Sequence, residues 1–219
     1  MARIARVVVP DFPHHITQRG CRRQRTFFSR QDYEYYLGLL KDSRDEAGVH
    51  VWAYCLMPNH VHMIIVPETT QSLSRYLGPT HRKYAIEVNR RMRWRGHLWQ
   101  ERFHSFVMDE SHLHAAVRYV ELNPVRARLC PTAREWRWSS AQAHLSGQDD
   151  GLVEVRPMLD RVSDWQDYLD RDHEGVDDEA LRGYGLNGRP AGNADFVSKL
   201  EALTGRRLTK QKPGPKPRN

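Results

Sequence analysis

The chain has 219 residues, 39% of them hydrophobic, which suits one medium domain with an appendage or two small domains and excludes wholesale disorder. Its net charge of +7 is uneven: Gln148 to Glu179 holds three arginines against twelve acids, a local net of −9, which leaves +16 on the remainder and points to a polyanion such as nucleic acid, where phosphates match the charge and counterion release favours binding. No apolar run approaches the length of a membrane span and the start lacks a cleavable leader pattern, while three scattered cysteines without a CxxC pair exclude a disulfide framework or thiolate zinc site and fit a reduced cytoplasm.

In chain order, His14 to Arg19 alternates enough to predict a first strand, ended by Gly20 and a basic loop, Cys21 to Arg25. Ser29 with Asp32 offers an N-cap and an acidic variant of the capping box. Tyr33 to Ala47 then sets Tyr33, Tyr36, Leu37 and Leu40 at helical spacing, and Gly48 ends the helix. Val49 to Met57 and His60 to Val66 flank Pro58-Asn59, a tight turn between two antiparallel strands. The second of these strands is apolar on both faces, so it should be central and covered on both sides. Leu73 to Met92 is a long helix carrying Arg75, Arg82, Lys83, Arg90 and Arg91, and Phe103 to Met108 a fourth strand. Ser111 is expected to cap a helix that Asn123-Pro124 stops.

This order predicts an α+β fold, a ferredoxin-like sandwich in which helices cover an antiparallel sheet. The main domain spans 1–147, and 148–204 reads as a separate acidic, then helical, region. Residues 205–219, with six basic residues, three prolines and no acid, read as a flexible arm.

His60-Val61-His62 is the sharpest chemical signal. Residues two apart on a strand face the same way, so both imidazoles can share one metal ion. A bare HxH is more often a packed pair, yet burying two polar rings in so apolar a strand is costly unless something satisfies them. Further on, Tyr119 and Asn123 are four apart on one helical face, beside the core positions Leu113, Val117 and Val120. The Asn123 amide oxygen can ligate a hard cation. A lone helical tyrosine is usually core edge, so Tyr119 gains standing only if its helix faces the histidine strand. The second histidine pair, His14-His15, is a weaker signal, as is His112, which shares the Tyr119 stripe and reads as exposed surface or as a group behind the site.

MPNHVHMIIV resembles the HUH signature (histidine, hydrophobe, histidine) of single-tyrosine transposases, and RYVELNPVRA resembles their tyrosine helix. GHLWQERFHS, WRWSSAQAHL and the ending GRPAGNADFVSKLEALTGRRL with its KPGPKPR tail are similar to the REP-associated tyrosine transposases. The likeness covers most of the chain and is weakest between Gly147 and Gly188. Where that family often has arginine, glycine, asparagine after the first strand, this chain has Arg19-Gly20-Cys21.

The resemblance implies that His60, His62 and Asn123 hold a divalent metal and that Tyr119 is the nucleophile, leaving a 5′-phosphotyrosine link on single-stranded DNA. It also implies hairpin-forming palindromic repeats as the target. Two histidines and an amide leave positions open to oxygen ligands, which suits Mg²⁺ or Mn²⁺. Arg19, Arg22, Arg23, Arg25, Arg82 and Lys83 are candidate phosphate contacts. Trp94 and Trp99 are candidate base-stacking platforms, whereas Phe103 reads better as core. Lys212, Lys216 and Arg218 would form a minor-groove arm or a solubility tail.

The rival expectation is a domesticated protein of the same fold that binds palindromic repeats without cutting. A histidine-based hydrolase of small molecules would leave the basic excess unexplained. A monomer and a homodimer both fit, with Tyr119 serving its own or its partner's histidines, in a cytoplasmic, nucleoid-associated protein.

Overall fold

Strand β3 (His60–Pro67) is buried at all eight positions, and its place in the sheet explains why. In the computed structural model, which describes residues 6–171, 181, 183–184 and 187–209, the sheet has the order β2-β3-β1-β4. Here β1 is His14–Arg19, β2 is Val49–Met57 and β4 is His104–Val107, and every pairing is antiparallel. That is the ferredoxin-like order expected from the sequence. The Met57↔His60 pair closes a two-residue turn at Pro58-Asn59.

Helices α1 (Arg30–Ala47) and α2 (Ser72–Met92) cover one face. Val61, Met63 and Ile65 of β3 and Ile16 of β1 meet Tyr36, Leu40, Leu73 and Tyr84 there. Each fully buried side chain of this size contributes about 1.5–3 kcal/mol. Helix α1 starts where Asp32 Oδ2 accepts from the amides of Phe28 (2.7 Å) and Ser29 (3.0 Å), and ends at Gly48 with φ 64°, a conformation that costs glycine little.

Helix α3 (Glu110–Arg126) covers the other face, where Leu113, Val117, Tyr119 and Val120 pack with Ile64, Phe106, Ala53 and Cys55. Its ends differ from expectation. Asp109, not Ser111, is the cap, its carboxylate accepting from the His112 amide at 3.0 Å; Ser111 lies inside the helix and donates its hydroxyl to that carboxylate. Nor does Asn123-Pro124 stop the helix. Proline removes only the N–H that would bond the Val120 carbonyl, and the last carbonyls still find donors at the helix end: Ala127 donates to Asn123 and Leu129 to Pro124. Phe103 precedes β4 and is buried.

The acidic stretch, expected to stand apart, packs onto this domain over its described residues, as far as Arg171. Leu152 and Val153 are fully buried with the α1 and α2 side chains, the Glu154 amide donates to Val51 O at 2.9 Å, and the Tyr54 hydroxyl donates to Asp150 Oδ2. The short helix α4 (Ala141–Ser146) precedes this stretch, and α5 (Arg156–Leu159) and α6 (Trp165–Asp170) lie within it. Ala191 then exchanges backbone hydrogen bonds with Val107 and Asp109 at the end of β4. Leu200 of α7 (Ala194–Thr204) packs on Val7, Val9 and Val107. No helix among the described residues is long and apolar enough to cross a membrane.

Candidate active site

The pleat of β3 sends His60 and His62 toward α3, with ring centroids 4.9 Å apart. His60 Nδ1 lies 2.6 Å from Asn59 Oδ1. An amide oxygen only accepts, so the His60 proton sits on Nδ1 and Nε2 keeps its lone pair. The Asn59 Nδ2 in turn donates to Arg23 O at 3.0 Å, tying the hairpin turn to the basic loop. That loop presses close: a Cβ at Gly20 would lie 2.3 Å from Gln24 O, so only glycine fits. Arg22 and Arg23 both adopt left-handed φ, 53° and 61°, strain of a kind concentrated near functional sites.

Register brings a further histidine into the group. Thr17 pairs with His62 across β1 and β3, and His15, two residues earlier, shares that face. His62 Nδ1 lies 2.9 Å from His15 Nε2 and 3.2 Å from Thr17 Oγ1. Burial, joined by the Arg19 charge and opposed by a hydrogen bond with the Asn123 side chain, holds His60 down to about 3; burial alone holds His15 down to about 3. Both rings are neutral at neutral pH, the state a cation needs.

Helix α3 delivers Tyr119 to the same place. The phenol ring stands edge-on to His62, centroids 5.4 Å apart at 89°, and 6.1 Å from His15. Asn123, one turn on, hydrogen-bonds His60. Arg126 places its guanidinium carbon 5.4 Å from the Tyr119 ring centroid and donates to Tyr119 O. Tyrosine, asparagine and both histidines therefore converge within one chain, as expected if the helix faces the strand.

A buried carboxylate fixes that helix. Glu121, fully buried, accepts from Ser140 Oγ at 2.6 Å, His144 Nδ1 at 2.7 Å and Trp165 Nε1 at 2.9 Å. Ser140 also accepts from the Tyr54 amide, so the clamp joins α3 to β2, α4 and α6. This gives the Trp-Ser-Ser segment a physical role, satisfying a charge that would be costly if left alone.

Among the described residues, no group of three or more His, Cys, Asp or Glu side chains is placed to hold a metal. The His60–His62 pair needs the Asn123 amide and oxygen ligands from outside the chain to complete a shell. Neutral imidazoles plus an amide fit a divalent ion that keeps open positions.

The remaining expected contacts separate. Arg19 sits beside His60, and Arg22, Arg23 and Arg25 are exposed on the adjoining loop. Arg82 and Lys83 are exposed on α2, across the sheet from Tyr119. Trp99 is a correction: its ring packs against His81, Tyr84 and Tyr36 and its Nε1 donates to His81 O at 3.1 Å, so it is core and offers no face to a base. Trp94 is 40% exposed and rests edge-on against Phe28. His112 is held by the Asp109 carboxylate at 2.7 Å and belongs to the helix cap. Lys212, Lys216 and Arg218 lie outside the described residues.

Local patterns did not reveal Thr17, Asn59, Arg126 or Glu121, and offered His15 only as half of the weaker His14-His15 pair. Thr17 and His15 share the alternation of β1, but only cross-strand register aligns them with His62. Asn59 looked like a turn residue and nothing more.

Comparison with known proteins bears on the fold and the family. Among curated proteins no sequence matches the chain. The fold is similar to that of a REP-associated tyrosine transposase bound to a REP hairpin, at TM-score 0.59 and 17% identity, over 81% of this chain and 98% of that one. A chain from Deinococcus radiodurans R1 described as a transposase matches at TM-score 0.39 and 18% identity, over 55% and 96%. The family model described as IS200-like transposase matches residues 9–123, a span that contains both histidines, Tyr119 and Asn123. The chain belongs to the IS200-like transposase family.

Proposed function

We propose that this transposase cuts and rejoins single-stranded DNA through Tyr119, with a divalent ion, Mg²⁺ or Mn²⁺, held by His60, His62 and Asn123. The observation that carries the reading is the Tyr119 ring set edge-on at 5.4 Å from His62 in the same chain. When bound, the ion would polarise the scissile phosphate and offset developing charge. The chain does the rest. Arg19 beside His60 and Arg126 beside Tyr119 bring positive charge to where a phosphate must sit. The Tyr119 oxygen forms a bond to phosphorus and the P–O3′ bond breaks. The phenol loses its proton, the leaving 3′ oxygen gains one, and the DNA stays joined to the protein as a 5′-phosphotyrosine. That covalent link conserves the bond for rejoining, which hydrolysis would discard.

The solved relative binds a REP hairpin, which supports a hairpin-forming palindromic repeat as the substrate here. Arg22, Arg23 and Arg25 on the strained loop are placed to grip backbone phosphates, and exposed Trp94 is placed to stack on an unpaired base. The protein would act on chromosomal DNA in the cytoplasm, each Tyr119 serving its own histidine pair.

The test is incubation with labelled single-stranded hairpin DNA and Mn²⁺. Wild type should yield a denaturant-resistant protein–DNA adduct and Tyr119→Phe none. Equal binding by both with cutting by neither would favour a repeat-binding protein that does not cleave.

A further inference from the structure

His15 has a role that the family motifs do not assign. Its ring is buried between three partners on the α3 face of the sheet: His62 at 5.1 Å, Phe106 at 5.1 Å and Tyr119 at 6.1 Å between centroids. Its Nε2 meets His62 Nδ1 at 2.9 Å. Its other nitrogen, Nδ1, is buried and has no hydrogen-bond partner among the described residues. An apolar side chain of similar volume would fill this place without leaving a polar atom unsatisfied, and such exceptions in a folded interior call for an explanation.

The chemistry of a metal-bound imidazole supplies one. A ring that gives one nitrogen to a cation carries its proton on the other and needs an acceptor for it, which fixes both tautomer and orientation. For His62 the nitrogen engaged by its neighbours is Nδ1, which leaves Nε2 as the ligating atom. His15 Nε2 is then the acceptor, and the His15 proton is displaced to Nδ1. We propose that His15 is a positioning residue: it holds His62 in the Nδ1–H tautomer with Nε2 toward the cation, and its ring forms the floor under Tyr119. Ligand and nucleophile are thus registered to each other through one side chain on β1. This rests on the metal-dependent reading above.

The experiment measures Mn²⁺ affinity of the full chain by calorimetry without DNA, alongside thermal unfolding. His15→Leu removes the acceptor and keeps the bulk. His15→Gln keeps an acceptor near the Nε2 position. The expected result is a ten- to hundredfold loss of Mn²⁺ affinity in His15→Leu, the usual scale for removing such a partner, with no loss of thermal stability, and recovery to within a few-fold in His15→Gln. Thr17→Val should stay within about threefold of wild type, on the same scale. Wild-type affinity in His15→Leu, with binding abolished in His62→Ala, would overturn the proposal and leave the metal site intact. A large loss in Thr17→Val with none in His15→Leu would overturn it in favour of the hydroxyl. If wild type binds no Mn²⁺ at all, the metal-dependent reading fails and the proposal falls with it.

Discussion

Val61, Met63 and Ile65 point from β3 into the layer built by α1 and α2, while His60 and His62 between them point toward α3. The first face is closed by aliphatic and aromatic packing, with Phe27 stacked 4.4 Å from Tyr33 and Tyr33 4.6 Å from Trp138. The second collects His15, Thr17, His60, His62 and Tyr119 into one polar group, and sets the Glu121 clamp behind it. Such a group costs desolvation and must be held in place by its hydrogen bonds. One strand, buried along its whole length, thus divides its labour by the pleat: the odd positions hold the fold, and the first two even positions, His60 and His62, hold the chemistry.

The widest separation of the two faces should come from His62→Ala. Strand cleavage should fall on the order of a thousandfold, the scale of removing a group that stabilises transition-state charge. Chemical unfolding should show stability changed by less than about 1 kcal/mol, because relief of the desolvation of a buried polar ring offsets the contacts it loses. The converse variant is Met63→Ala, fully buried on the other face. It should cost about 2–5 kcal/mol of stability, and the folded fraction should cleave at the wild-type rate. A reversal of this pattern would break the comparison.

Acid sharpens it differently, because two histidines on the packing face are structural. Burial holds His14 down to about 4, opposed by its hydrogen bond to Phe12 O. Burial followed by the Arg6 charge holds His81 down to about 3. His14 Nε2 accepts from the Val9 amide and His81 Nε2 bonds the Tyr36 hydroxyl, so each ring is satisfied while neutral. The unfolded chain protonates such rings near pH 6.5, above their folded values. Their stabilisation is whole above about pH 6.5 and is lost as the pH falls toward 4, at up to about 1.4 kcal/mol per pH unit for each ring. Denaturant titrations from pH 7 to 4 should show that decline, and it should flatten in His14→Gln. A profile that stays level would remove these rings from the account of stability.

The smallest effect expected is at Trp94, which lies on neither face. Trp94→Ala should weaken single-stranded DNA binding by about 1 kcal/mol, roughly fivefold, near the low end for one stacked base. Trp99→Ala should instead unfold the protein more readily, since that ring is core. Fluorescence-anisotropy titration and thermal melts distinguish the two.

These contrasts mark what a sequence carries. The facing of His60 and His62 follows from strand period, and the stacking of Tyr119 over Asn123 from helix period, so both were legible locally. The fold class followed from the succession of elements. His14-His15 stood out as a histidine pair, but the place of His15 and Thr17 beside His62 was not legible, because the register of β1 against β3 decides which nitrogen meets which. Glu121 looked like one more helical acid until Ser140, His144 and Trp165 closed on it from later in the chain. Asp109 and Ser111 are both residue types that cap helices, and the first, whose amide donates to Ala191 O, takes the cap. Trp94 and Trp99, five apart in a basic segment, differ in burial for reasons of tertiary packing alone.

The claim on which the rest depends is that nucleophile and metal ligands act within one polypeptide. Complementation tests it directly: Tyr119→Phe and His62→Ala chains, each inactive alone, are mixed, exchanged and assayed for adduct with hairpin DNA. The geometry leads us to expect no activity beyond the two variants measured separately. Recovery of adduct in the mixture, carried on the His62→Ala chain, would contradict it and place each tyrosine in its partner's site.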